Sequence, residues 1–156
     1  MDLPAASERV RAAAAGLGLD IEVRLFSEGT KTAADAAAAI GCEVAAIVKS
    51  LVFLVDGRPV VVLVPGDLRL DTAKLAAALG GSHARRATLE EVREATGYAA
   101  GGTPPFGHAR PLRVLADPAL RRHQALWAAA GTPTTVFPIT VEDLEGASGA
   151  TWADVT

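Results

Sequence analysis

The sequence is short of several things that would each point to a function. Cys42 is its only cysteine, so neither an intrachain disulfide nor a cysteine-built zinc cage can form. No uninterrupted apolar run approaches the ~20 residues that span a bilayer. The opening Met1-Asp2-Leu3-Pro4 lacks the basic start and apolar stretch of a secretory signal, so the expected setting is cytoplasmic, with no membrane partner. No glycine-rich phosphate loop of the Walker or dinucleotide type follows a strand-like run, which removes support for nucleotide hydrolysis and nicotinamide binding. A serine nucleophile elbow is absent, since Gly146-Ala147-Ser148-Gly149 has the wrong spacing. His83, His108 and His123 lack metal-ligand spacing, so no metal and no cofactor is expected. Cys42 follows a predicted helix end and reads as a small, partly buried thiol rather than a nucleophile.

Charge is modest too. A net charge of −3 argues against coating nucleic acid by electrostatics alone, but leaves room for gripping a short single-stranded end. Positive charge gathers locally at Arg85-Arg86 and at Arg110, Arg113, Arg121, Arg122 and His123, where a solvated surface is the default reading.

What is present suits one compact domain, residues 1–156. Half of the residues are apolar and 21% are charged, which excludes an extended disordered chain. At this length folding buries roughly 68–70% of the unfolded chain's surface. Ser7 is a candidate cap for a first helix ending near Gly16–Gly18. Ile21–Phe26 alternates as a half-buried strand. Thr32 and Gly41 bracket a helix over Ala33–Ile40. Ile47–Val55 and Pro59–Val64 are β-rich runs joined through Asp56-Gly57-Arg58, the strongest hairpin signal in the chain. Asp71 opens a helix over Thr72–Leu79, and Thr88-Leu89-Glu90-Glu91 has capping-box spacing for another reaching Thr96. Strands are expected at Leu112–Ala116, Ala125–Ala129 and Thr134–Ile139, with a short final helix capped by Thr140. The fold class that follows is α/β of the α+β type. A mixed, mainly antiparallel or barrel-like sheet is surrounded by helices.

Three places could carry chemistry. Lys49 interrupts Ile47–Val55 on the face of Ile47, Leu51 and Phe53. An edge-strand lysine that deters aggregation is one reading. Both faces of the run are apolar, however, and a lysine on a covered face is costly unless it reaches an anion or a cavity. Next, the twelve-residue stretch Gly97–His108 is rich in glycine and proline, and can present backbone N–H groups as a rigid nest for a carbonyl or phosphate oxygen. Gly131-Thr132-Pro133-Thr134-Thr135 offers small hydroxyls and bare backbone, a weak signal alone.

Taken in order, these features resemble the YbaK-type aminoacyl-tRNA deacylases, which include the editing domain of bacterial prolyl-tRNA synthetases. The resemblance runs from Thr32-Ala33-Ala34 through Ile47-Val48-Lys49-Ser50-Leu51-Val52 and Val64-Pro65-Gly66-Asp67-Leu68-Arg69-Leu70-Asp71. It continues through Gly97-Tyr98, Gly101–Gly107, Ala130-Gly131-Thr132-Pro133 and Thr140–Leu144. It implies a YbaK-like fold and hydrolysis of mischarged aminoacyl-tRNA in trans, on tRNA for proline carrying cysteine or alanine. The reaction is substrate-assisted: the terminal ribose hydroxyl helps activate water, and in cysteinyl substrates the thiol itself can attack. Lys49 becomes the key residue, holding the terminal adenosine or its phosphate as a cation, with a neutral-lysine base ranked second. Gly101 and Gly102 would offer N–H groups to the ester carbonyl. Thr32, Ser50, Thr103, Pro104, Pro105, Phe106, Gly107, Gly131 and Thr132 would bind substrate, and His108 is a conjectural discriminator.

The implied partners are the 3′ acceptor end of aminoacyl-tRNA and a prolyl-tRNA synthetase, with the protein a monomer or weak homodimer. The alternative is a non-catalytic module that binds tRNA ends or a synthetase. An unrelated small-ester hydrolase would need a nucleophile that the chain does not display.

Overall fold

A computed structural model describes residues 2–26 and 32–156. Helix α1 (Ala5–Gly16) is followed by a two-residue strand β1 (Arg24–Leu25) and helix α2 (Ala33–Ile40). Strands β2 (Ile47–Val55) and β3 (Arg58–Pro65) form the central hairpin. Helix α3 (Thr72–Ala78), strand β4 (Ala84–Arg86), helix α4 (Leu89–Thr96) and strand β5 (Arg113–Ala116) come next. Strands β6 (Ala125–Ala129) and β7 (Thr135–Thr140), helix α5 (Val141–Ser148) and strand β8 (Thr151–Trp152) complete the described elements.

Local chemistry sets most of these boundaries. Asp56 and Gly57 both have positive φ, 50° and 81°, the left-handed pair that a two-residue hairpin turn requires. The Asp56 carboxylate also accepts the N–H groups of Ser82 and His83, tying the turn to the approach of β4. Thr32 Oγ1 accepts the Asp35 N–H at 3.1 Å and caps α2. Thr88 and Glu91 complete the capping box of α4. Arg85 grips the same Glu91 carboxylate with two 2.9 Å bonds, and these contacts hold the Glu91 carboxyl down to about 2.

Eight strands form one sheet in the order β1-β7-β6-β2-β3-β5-β8, with β4 also on β2. Pairing is mixed. The pairs β1–β7, β2–β3, β2–β4 and β6–β7 are antiparallel, and β2–β6, β3–β5 and β5–β8 are parallel. Along β3, Val61 and Leu63 enter one apolar core with Val10, Val92 and Leu144 from α1, α4 and α5. Val60, Val62 and Val64 enter another with Leu75 from α3. The central hairpin reads as unbroken apolar runs because both of its faces are covered. Each fully buried valine contributes roughly 1.5–3 kcal/mol from burial.

Two expectations are corrected, and two short strands are added. Ser7 does not cap α1, which starts after Pro4; it is buried, and its hydroxyl donates to Thr135 Oγ1 at 3.0 Å. Only Arg24–Leu25 of the Ile21–Phe26 run pairs as strand, because β7 offers a partner only there. Strands β4 and β8 went unanticipated, being too short to show alternation.

Candidate active site

β2 is central, yet it is not covered along its whole length. On the side away from β3, β6 pairs only with Ile47 and Val48, and β4 only with Phe53–Val55. Between them, Lys49, Ser50 and Leu51 have no strand partner on that side among the described residues; the Val52 carbonyl accepts the Ala87 N–H. This gap lies in the wall of a cleft of about 690 Å3. The start of α2, Arg86 and Ala87, the first turn of α4, the loops at Ala100–Thr103 and Thr132–Pro133, and Trp127–Ala129 with Thr135 and Val136 of β6 and β7 supply most of the remaining lining. A lysine inside a covered strand therefore has a cavity to enter.

Lys49 is half-buried, and its Nζ donates to the Leu68 carbonyl at 2.8 Å. Burial lowers its pKa below the usual lysine value, and the charge of Arg86 lowers it further; Asp67 opposes this and Arg69 adds to it. Asp67 is engaged elsewhere, because Arg122 clamps its two oxygens at 2.8 and 3.1 Å. Among the described residues, no carboxylate, histidine or cysteine lines the cleft. Ser50 has a buried hydroxyl with no hydrogen-bond partner among the described residues.

The loop facing this strand is held by close backbone packing. Ala100–Gly102 forms a short 3-10 helix, whose leading N–H groups have no partner within it. Ala100 and Gly101 are exposed on the cleft wall. Gly102 is buried behind them: a Cβ there would meet Thr132 N at 2.5 Å and the Gly131 carbonyl at 2.6 Å. The Gly131 N–H donates to the Gly102 carbonyl at 2.9 Å, joining the two loops. Gly131 (φ 97°) packs in turn on the Ala6 carbonyl of α1. Hydroxyls of Ser7, Thr132 and Thr135 link behind the same wall, with Thr132 Oγ1 2.7 Å from Thr135 Oγ1.

Of the expected site residues, Lys49, Ser50, Thr32, Gly101, Thr103 and Thr132 line the cleft. Gly102 and Gly131 form the packed layer beneath the wall. Pro104, Pro105 and Phe106 are buried outside the lining, and the Phe106 ring packs tilted against Phe137 with centroids 5.7 Å apart. Gly107 and His108 border a separate groove beside α1, where a His108 ring nitrogen pairs with the Pro104 carbonyl at 2.8 Å. That position takes His108 away from the cleft and removes the ground for a discriminating role. Cys42 is half-buried among apolar neighbours, and burial pushes its thiol pKa up. Sequence reasoning missed Arg86, Leu89, Trp127 and Val136 as cleft residues. The pair Arg85-Arg86 was a visible signal, but nothing in the sequence told its members apart.

A model of the aminoacyl-tRNA editing domain matches residues 27–147. The chain belongs to that family. A solved structure, described as a candidate trans-editing enzyme for prolyl tRNA synthetase, superposes on this editing domain with a TM-score of 0.94. It is 42% identical, and the match covers 99% of each chain. The uncharacterized protein YwhH of Bacillus subtilis (strain 168) is 34% identical over 136 residues, 86% of each protein. A protein of Enterococcus faecalis (strain ATCC 700802 / V583), EbsC, named as a candidate Cys-tRNA(Pro)/Cys-tRNA(Cys) deacylase, is 27% identical over 84% of this chain and 80% of its own length. The proline–tRNA ligase of Geobacter sp. (strain M21) is 38% identical over 89 residues. That match spans 57% of this chain and only 16% of the ligase. Among the described residues, no helix is long and apolar enough to cross a membrane.

Proposed function

We propose that this editing-family chain is a deacylase acting in trans as a single cytoplasmic domain. It would hydrolyse the ester that joins a wrong, small amino acid to the 3′ end of tRNA for proline, with cysteine or alanine as the acyl group. The observation that carries this reading is the cleft itself: Lys49 and the leading N–H groups of the Ala100–Gly102 turn open on one cavity whose lining, among the described residues, holds no carboxylate, histidine or cysteine. Such a site works by position and electrostatics.

Water adds to the ester carbonyl, with the terminal ribose hydroxyl helping to remove its proton. Negative charge then develops on the carbonyl oxygen, where backbone N–H groups of the turn stabilise it. Collapse returns the proton to the departing ribose oxygen and frees the amino acid. Lys49, held at Leu68, stays protonated and anchors the terminal nucleotide. The Enterococcus relative's name supports cysteine among the acyl groups, and the candidate trans-editing enzyme supports a link to prolyl-tRNA synthetase. A second sieve has a physical rationale: a synthetic pocket rejects a slightly smaller substrate by only ~1–3 kcal/mol.

The test is a deacylation panel in which tRNA for proline carries cysteine, alanine, serine or proline. Wild-type protein should release one wrong amino acid and spare the prolyl ester, and Lys49→Ala should slow that release by on the order of 10²-fold or more. Binding of tRNA without release of any of them would instead support a non-catalytic module.

A further inference from the structure

The arginines around the cleft fall into two groups. Arg85 and Arg122 are each clamped by a carboxylate, Glu91 and Asp67 respectively. Arg86 and Arg69 have no side-chain hydrogen bond or ion pair among the described residues, and both are exposed. Their places follow from backbone geometry. Arg86 sits opposite Phe53 in the β2–β4 ladder, so it shares the sheet face of Phe53, Leu51 and Lys49, and it lines the cleft. Arg85, one residue earlier, points to the other face, toward the start of α4. Arg69 lies outside the cleft lining but follows Leu68, whose carbonyl holds the Lys49 ammonium, and its charge acts on Lys49. Asp67 is the acidic group beside this cluster, and Arg122 already neutralises it.

From this arrangement we infer that Arg86, on the cleft wall, and Arg69, beside the Lys49 anchor, form a phosphate-binding rim that grips backbone phosphates of a single-stranded nucleic-acid end whose last nucleotide lies at Lys49. The inference rests on the proposed site reading and extends it: recognition is divided between the cleft, which takes the aminoacyl nucleotide, and the rim, which takes the strand leading to it. A chain of net charge −3 has little general attraction for nucleic acid, so local unpaired cations must supply it. A cleft of only about 690 Å3 suits the end of a single strand rather than a duplex.

The experiment measures binding of a short, uncharged ribo-oligonucleotide ending in CCA, by fluorescence anisotropy across a salt series, for wild type, Arg86→Gln, Arg69→Gln and Arg85→Gln. Each lost phosphate contact should reduce the log–log salt slope by about 0.7. Arg86→Gln and Arg69→Gln should each show that reduction and bind several-fold more weakly, while Arg85→Gln keeps the wild-type slope. In parallel, deacylation of mischarged tRNA should show a raised KM with kcat kept for both rim variants. An aminoacyl-adenosine ester, which has no phosphate, should lose much less kcat/KM in the rim variants than mischarged tRNA does. Equal slopes for wild type and both rim variants would overturn the inference. So would an equal loss in Arg85→Gln, which would mark a diffuse charge effect. Failure of deacylation by wild type would strike the proposed function instead, because the oligonucleotide measurement needs no turnover.

Discussion

The two halves of the Gly97–His108 loop, glycines in front and prolines behind, are opposite in use. Ala100 and Gly101, in the front half, stand exposed on the cleft wall, and Gly102 lets that wall press against the Gly131-Thr132 backbone. The back half turns inward. Pro104, Pro105 and Phe106 are buried, Phe106 packs tilted against Phe137, and the His108 ring closes the turn against the Pro104 carbonyl. One half presents backbone to a ligand, and the other anchors it to the core. A glycine- and proline-rich composition signals that a loop has a required shape; it does not say which residues touch substrate.

Substitutions can break this comparison, beginning with the largest effect. Phe106→Ala should cost about 3–5 kcal/mol, read as a fall in denaturation midpoint, while the protein that remains folded keeps its kcat. Gly102→Ala should cost about 1–3 kcal/mol from overpacking and, unlike Phe106→Ala, should also depress kcat, because its Cβ would drive the cleft wall away from Gly131 and Thr132. Gly101→Ala meets only Pro133, at 3.4 Å, and should change stability by less than ~0.5 kcal/mol, as a denaturant titration would show.

The smallest effect concerns pH. Burial lowers the His108 pKa, so the folded state favours the neutral ring. Its contribution is present above the ordinary histidine pKa of ~6.5 and is lost as pH falls below it, since the unfolded chain takes up the proton first. His108→Gln should flatten that part of the stability–pH curve between about pH 7 and 5, without altering which ester is cleaved. A changed acyl preference would move the back half of the loop into the recognition surface and end the contrast.

Legibility followed the range of the interactions. The Asp56-Gly57 turn, the Thr32, Asp71, Thr88 and Thr140 caps, and the left-handed stops at Gly41 and Gly97 depend on neighbours a few residues away, and each stands where its local chemistry puts it. β4 has no such signature: Ala84-Arg85-Arg86 is a strand because β2 offers an edge there. Ser7 has a good capping chemistry and spends it on Thr135, 128 residues away.

The sequence alone determined the mixed α/β class, the hairpin, the family and the prominence of Lys49, because these rest on backbone preferences and on motif order. Only the tertiary structure decided that, among the described residues, β2 has no strand partner between β4 and β6 where Lys49 stands. It also decided that Arg85 braces a helix while Arg86 lines a cleft, and that half of one loop belongs to the core. Neighbouring residues on a strand point to opposite faces, so adjacency in sequence carries no information about shared surroundings. Those surroundings come from strands and helices distant in the chain, and they exist only once the sheet has assembled.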